Sequence, residues 1–328
     1  MNGQEETAPK KPMTKALKDI TRYSKKNMVY ILVALILAAA GAILGILGPN
    51  QLSKITDYIT EGIMGSVNLQ GIATIGLFLI GLYLVSALFT YIQHFIMSTV
   101  TLKQSNKLRR DIFSKINKVP LKYFNTTSHG DVLSRMTNDV DTLGQALSNS
   151  LPSIVSAVAQ FVSCLIMMFV TEWRMALAAT LATVLGFFLM GAIMSRSQKY
   201  FIKQQLSLGN LNGYIEEMYS GHDVIRISLA NDKVKSRFSK LNYAVYDSNR
   251  KSQFISGIMQ PLMNLIGNLG YVAVCITGAA LAMGGKITFG VIVAFIMYVR
   301  LFTSPLTSIA QGMTNVQTAA AAGDRVFS

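Results

Sequence analysis

The chain has 328 residues, 51% hydrophobic and only 14% charged, with thirty Lys/Arg against sixteen Asp/Glu and a formal net charge of +14. A mean hydropathy of +0.39 excludes an ordinary soluble domain, which averages about 25% charged residues. The basic excess does not point to nucleic acid: a binder of that kind gathers its cations on one groove-facing surface, whereas here they alternate with long uncharged runs.

In chain order, residues 1–12 read as a tail rich in Glu, Lys and Pro. Thr14 to Lys26 sets Leu17, Ile20 and Tyr23 against Lys15, Lys18, Arg22 and Lys25. That pattern suits an amphipathic elbow helix lying in the membrane interface or a plain basic flank to the first span. The first apolar run, Met28–Leu47, is longer than a signal-peptide core of about 7–15 residues, and Gly48-Pro49-Asn50 is a poor cleavage site. It is read as a retained span, followed by an outer connection over 48–70.

Five more runs follow. Between Glu61 and Lys103 only His94 can acquire a charge. Thr142–Thr171, Met175–Ser195 and Ser252–Gly285 carry none, and Ile287–Gly323 is broken only by Arg300. Each run holds the roughly 20 apolar residues that a helix needs to cross about 30 Å of hydrocarbon, so six spans are predicted. Seven Lys/Arg precede the first span, eight fall in 99–150 and ten in 195–251, while the alternate connections hold one each: Lys54, Arg174 and Lys286. Basic residues mark the cytosolic side, which puts both termini and both long connections there.

Those two cytosolic connections are about fifty residues long and read as helical arms. Lys103–Val119 and Val132–Leu147 carry apolar residues at helical spacing. Pro120 ends the first descending arm; Leu121–Thr127 forms a crosspiece, and Ser128 with Asp131 caps the returning helix. In the second connection Gly209, Gly213 and Gly221 bracket Tyr214-Ile215-Glu216-Glu217-Met218-Tyr219. The second crosspiece is expected at about 213–220. Hairpins of this kind present a docking surface to something in the cytosol.

Within the spans, Asn264, Asn268 and Tyr271 recur at i, i+4 and i+7 and share one face. That face looks into a cavity or a helix contact, with Pro261 just before it. His94 sits in a polar patch with Thr90, Tyr91 and Gln93, lining a cavity or hydrogen-bonding between helices. Arg300 needs a partner or water; it either meets substrate in a central cavity or orders helix packing. Gly41 and Gly45 form a GxxxG that hints at close helix packing. Cys164 and Cys275 lie in apolar runs without metal-ligand spacing and read as small buried hydrophobes, so no metal site is proposed.

Several motifs resemble one family. Pro120-Leu121-Lys122-Tyr123-Phe124-Asn125 followed by His129-Gly130-Asp131-Val132-Leu133-Ser134-Arg135-Met136-Thr137-Asn138-Asp139-Val140 is similar to the first intracellular loop of type IV ABC exporters, the six-helix, domain-swapped class. Leu211–Gly221 with Val224-Ile225-Arg226 resembles the second. Gly285–Gly290, Tyr298–Leu306 and Ala321–Phe327 resemble the start, middle and end of the sixth helix.

The resemblance implies an all-α, polytopic membrane domain: a tail and elbow helix over 1–27, then six helices over 28–328. It implies coupling helices that dock on nucleotide-binding domains, carried by Tyr123, Phe124, Asn125 and Thr126 in the first loop. In the second loop Tyr214, Ile215, Glu216, Glu217 and Tyr219 would reach the ATPase domain of the opposite subunit. His94, Asn264, Asn268, Tyr271 and Arg300 are the candidate cavity residues. No G-x-x-x-x-G-K-[ST] phosphate loop is present, so this chain is expected to hold no catalytic residue. ATP and Mg would bind in a nucleotide-binding domain beyond Ser328.

The expected function is outward movement of an amphipathic drug, lipid or peptide across the bacterial plasma membrane by alternating access. The expected partners are a second exporter subunit (heterodimer favoured), the ATPase domains and membrane lipid. An ion-gradient secondary transporter, or a receptor or scaffold docking a cytosolic partner, is the alternative. The first usually places acidic residues at the membrane midplane, and no Asp or Glu lies within these runs.

Overall fold

Backbone crossing hydrocarbon must satisfy its own N–H and C=O groups, and most of each uncharged run accordingly lies within a helix. The computed structural model describes residues 23–63 and 67–327. The tail and most of the amphipathic segment over 14–26 lie outside the described residues. A short 3-10 turn, Ser24–Asn27, leads into α1 (Met28–Gly62), α2 (Leu69–Ile116), α3 (Leu121–Thr126) and α4 (His129–Thr171). Then come α5 (Trp173–Ser220), α6 (His222–Ile227), α7 (Asn231–Met283) and α8 (Phe289–Phe327). The six long helices are each long and apolar enough to cross a membrane, and the described residues contain no strand.

The connection between the first and second spans is shorter than expected. Instead of beginning at Gly48, it begins after Gly62, because α1 runs straight through Pro49. Apolar surroundings tolerate proline inside a helix. Beyond it, Thr56 Oγ1 donates to Leu52 O at 3.0 Å and Thr60 Oγ1 to Thr56 O at 2.8 Å. The turn between the third and fourth spans is tight: α4 ends at Thr171 and α5 starts at Trp173.

The chain contacts resolve into two compact units. The first holds everything up to Ala176 together with Cys275 onward. Its core gathers Ile31 and Ala34 of α1, Met97 and Val100 of α2 and Leu147 of α4. Hydroxyls and amides reach across helices to main-chain carbonyls: Ser86 to Gly41 at 3.0 Å, Ser156 to Ala38 at 3.3 Å and Gln160 to Leu301 at 3.2 Å. Such bonds take over where lipid removes the hydrophobic incentive for helices to associate. Of the GxxxG pair, Gly41 meets Ser86, Phe89 and Thr90, while Gly45 has open space around it. Cys164 is fully buried with its thiol 3.5 Å from Tyr298 O, a small core residue as expected.

The second unit is Leu177–Val274: most of α5, all of α6 and most of α7. Gln204 Nε2 donates to Asn249 Oδ1 at 3.0 Å and Tyr214 Oη to Val234 O at 3.1 Å. A side chain added at Gly186 would collide with Ile266. These pairings make α5 and α7 an antiparallel hairpin along their length.

Candidate functional site

The first crosspiece forms as predicted. Pro120 takes the extended N-cap conformation ahead of α3, and Ser128 Oγ accepts the Asp131 N–H at 3.1 Å to start α4. On α3, the Tyr123 and Phe124 rings meet edge-to-face at 5.7 Å, and Phe124 packs toward His129 at 6.1 Å. For Asn125 and Thr126 the description extends to the backbone only. Above Tyr123, the arms and the end of α8 enclose an open cavity of about 410 Å³, lined by Ile112, Ile116, Val132, Arg325 and Val326 among others.

Beside it the last helix is clamped to the first loop. Arg325 Nε and Nη2 donate to the two carboxylate oxygens of Asp139 at 2.9 and 2.5 Å. Arg135 Nη1 donates to the Arg325 carbonyl at 3.1 Å, and its Nε donates to Asp131 at 3.0 Å. Asp139 is 4% exposed and ends a π-helical turn, Arg135–Asp139, within α4; turns of this type recur at functional positions. Nearby, Tyr23 Oη donates to Asp111 at 2.9 Å and its ring meets Phe327 at 5.8 Å. Burial, reinforced by the Asp111 carboxylate, pushes the Tyr23 phenol above its ordinary range. Arg109 also pairs with Asp141. The start of the first span, both first-loop arms and the end of the last helix thus converge on one junction.

The second crosspiece differs from expectation. Gly213–Ser220 is not a separate segment; it is the last two turns of α5, which continues to Ser220. The chain turns at Gly221, and the crosspiece is α6, His222–Ile227. Gly209 and Gly213 lie inside α5 without ending it, whereas at Gly221 the backbone leaves the helical region (φ −97°, ψ 18°) and becomes the N-cap of α6. Tyr214 is buried, its ring under Arg237 at 5.7 Å, as part of the hairpin's own packing. Ile215, Glu216, Glu217 and Tyr219 are exposed on α5. The tip instead presents Val224 (67% exposed), Ile227 (83%) and Leu229 (86%). Leu229 adopts φ 53°, a left-handed conformation that costs a branched residue roughly 1–2 kcal/mol. An open cavity of about 500 Å³ lies under α6, lined by Tyr214, Met218, Ile225, Val234 and Phe238 among others.

The span residues fall in different units. Asn264, Asn268 and Tyr271 are all exposed on α7 in the second unit, which agrees with their shared face. His94 and Arg300 are exposed in the first, and Arg300 has no ion-pair partner among the described residues. The buried member of the His94 patch is its neighbour Gln93, 3% exposed, whose Nε2 has no hydrogen-bond partner among the described residues. Sequence reasoning also missed Asp139–Arg325 and α6. An acid and a base flanking two helix ends 186 residues apart carry no local signal. The Gly221-His222-Asp223 step at the tip was a usable one.

A family model described as the ABC transporter transmembrane region matches residues 31–306. The chain is similar to a fatty acid ABC transporter ATP-binding/permease protein of Mycobacterium bovis, 33% identical over 89% of this chain and 52% of that protein. It is also similar to the uncharacterized ABC transporter ATP-binding protein YfiC of Bacillus subtilis (29%, covering 99% and 53%). A third relative is an ATP-dependent lipid A-core flippase of Syntrophus aciditrophicus (23%, covering 80% and 43%). The chain spans about half the length of the curated relatives it matches.

Proposed function

This chain belongs to the ABC transporter transmembrane-region family, and from that premise we propose that it is the membrane domain of an ATP-driven exporter of amphipathic molecules. The observation that carries the reading is the family match over 31–306 on a chain whose two cytosolic hairpins end in short crosspieces, α3 and α6. Each crosspiece docks on a nucleotide-binding domain, which supplies the ATP and Mg chemistry. The exposed apolar tip Val224, Ile227 and Leu229 suits insertion into a partner groove. That the fourth and fifth spans form a unit of their own supports their reaching across to the opposite subunit.

Closure of the ATPase pair pushes on α3 and α6, and the rigid arms carry the displacement into the spans. The Asp139–Arg325 clamp makes the end of α8 travel with the first loop. Substrate then meets polar residues of the spans, His94 and Arg300 in the first unit and Asn264, Asn268 and Tyr271 in the second. Relatives named for fatty acids and lipid A core support an amphipathic cargo. Residues 130–135 and 253–259 resemble one subunit type of heterodimeric multidrug exporters, which supports a heterodimer with a second exporter subunit. The basic-residue distribution supports a plasma-membrane location with both termini in the cytosol.

The test is transport by the transporter reconstituted with its ATPase domains. An amphipathic dye should accumulate only with Mg-ATP and not with an ATPase-dead partner. Uptake that follows a proton gradient without ATP would overturn the proposal in favour of a secondary transporter.

A further inference from the structure

Below the apolar part of the second unit lies a band of cations that the transport reading leaves unused. The run Met175–Ser195 ends one residue before Arg196, and Lys199 and Lys203 follow on α5. At 100° per residue these three fall within about 60° of one another, on one flank of the helix. The Gln204–Asn249 hydrogen bond sets the register, so Arg250 and Lys251 of α7 come level with residues 202–203 of α5. Buried Ser248 and Ser252, each 1% exposed, mark the seam on α7, and Lys251 sits on the same side of that seam as Lys203.

The band is poorly neutralised. Asp247 is the one acid on α7 after Asp232, and α5 has none between Trp173 and Tyr214. Its carboxylate is engaged by Lys251 at 2.7 Å and Arg250 at 3.6 Å. The Lys251 hydrogen bond, with lesser contributions from the charges of Arg250 and Lys203, holds Asp247 below its ordinary range. Lys203 therefore belongs to the same cluster. Arg196, Lys199 and Lys203 are exposed and make no ion pair among the described residues. Lys199 lies over the Tyr200 ring at 5.1 Å. The cations span about 10 Å along the helix axis, directly beyond the hydrocarbon limit. Headgroups occupy that depth, and long basic side chains reach it readily.

We propose that the α5–α7 seam holds the headgroup of an anionic glycerophospholipid. The phosphodiester sits among Arg196, Lys199, Lys203 and Lys251, while its acyl chains run up the exposed apolar flanks of the two helices. Topology alone asks for cations on this side of the membrane. It does not ask for three on one helical flank, registered against two more across a seam. The site commits to lipid because apolar surface continues directly above the charges: Leu181, Leu185 and Phe188 are 67%, 62% and 76% exposed.

The test uses the whole transporter with its ATPase domains in nanodiscs of equal phosphatidylcholine and phosphatidylglycerol, with retained lipids counted by native mass spectrometry. Nanodiscs offer the same headgroups on both faces, so the result is independent of orientation, and ATPase activity measured alongside reports separately on the transporter reading. The wild type should retain phosphatidylglycerol enriched at least about fivefold, in keeping with the pull of single basic residues on anionic lipid. Arg196→Gln/Lys199→Gln/Lys203→Gln should reduce it to the mixing ratio. Lys233→Gln/Lys235→Gln/Lys240→Gln, more than about 15 Å further along α7, should leave it intact. Equal loss in both triple variants, or no loss in the first, overturns the proposal. So does displacement of the retained lipid by inorganic phosphate, which would assign the cluster to a soluble anion.

Discussion

Asp139 and Arg325, 186 residues apart, form a two-point ion pair that joins the returning arm of the first loop to the last turn of the sixth span. The Asp139 side chain is 5% exposed and that of Arg325 57%, so water reaches one half of the pair. The carboxylate is the half that cannot be left alone.

Arg325→Ala should therefore destabilise more than Asp139→Asn, because it strands a buried charge while the asparagine removes that charge. Stranding a fully buried partner costs about 3–5 kcal/mol; solvent screening on the Arg325 side lowers the expectation to about 1–2 kcal/mol. Thermal unfolding of the singles and the double variant in detergent measures it. Additive losses in the cycle would mean the two residues do not act as a unit.

At the second tip, Val224→Asp and Ile227→Asp should leave folding unchanged, since both side chains are largely exposed. Substrate-stimulated ATP hydrolysis should fall about tenfold, the equivalent of roughly 1.4 kcal/mol of lost docking. Leu229→Gly separates fold from function: it relieves the left-handed backbone and should stabilise by about 1 kcal/mol while still weakening stimulation. Unaltered coupling in all three would remove α6 from the docking surface.

On the other side of the spans, Asp57 of α1 caps α8. Its carboxylate accepts the Gly290 N–H at 2.9 Å and the Thr288 hydroxyl at 3.0 Å. Asp57→Ala should cost about 1 kcal/mol, as loss of a helix cap does. Gly290→Ala should cost at least as much, because its Cβ would run into the Ser53 carbonyl and the Asp57 carboxylate. The melting temperature of each variant checks this; no change for Gly290→Ala would show that the two helix ends part freely.

Orientation is open to labelling. In a background with Cys164 and Cys275 replaced by alanine, a membrane-impermeant maleimide should modify Lys286→Cys in intact cells. His222→Cys should react only after permeabilisation. Both parent residues are exposed, so a reversed pattern would invert the topology that the basic residues imply.

How much of this was legible in advance depends on range. Six spans, the tight turn at Thr171–Trp173 and the Ser128 cap could be read from the chain because each depends on neighbours within one helical turn or on the cost of charge in hydrocarbon. The second crosspiece was displaced by several residues, since glycine within a long helix is tolerated and only the final one, Gly221, ends it. The run of α1 through Pro49 was missed because a proline breaks helices in water more reliably than in an apolar setting.

Composition and charge order alone decided that this is a six-span, all-α membrane protein, because exposing backbone or charge to hydrocarbon is too costly for any other arrangement. Only the tertiary structure decided that Asp139 meets Arg325, that Asp57 caps α8 and that Lys203 joins Arg250 and Lys251. Those pairings depend on how helices far apart in sequence lie side by side, and a one-dimensional pattern does not carry that register.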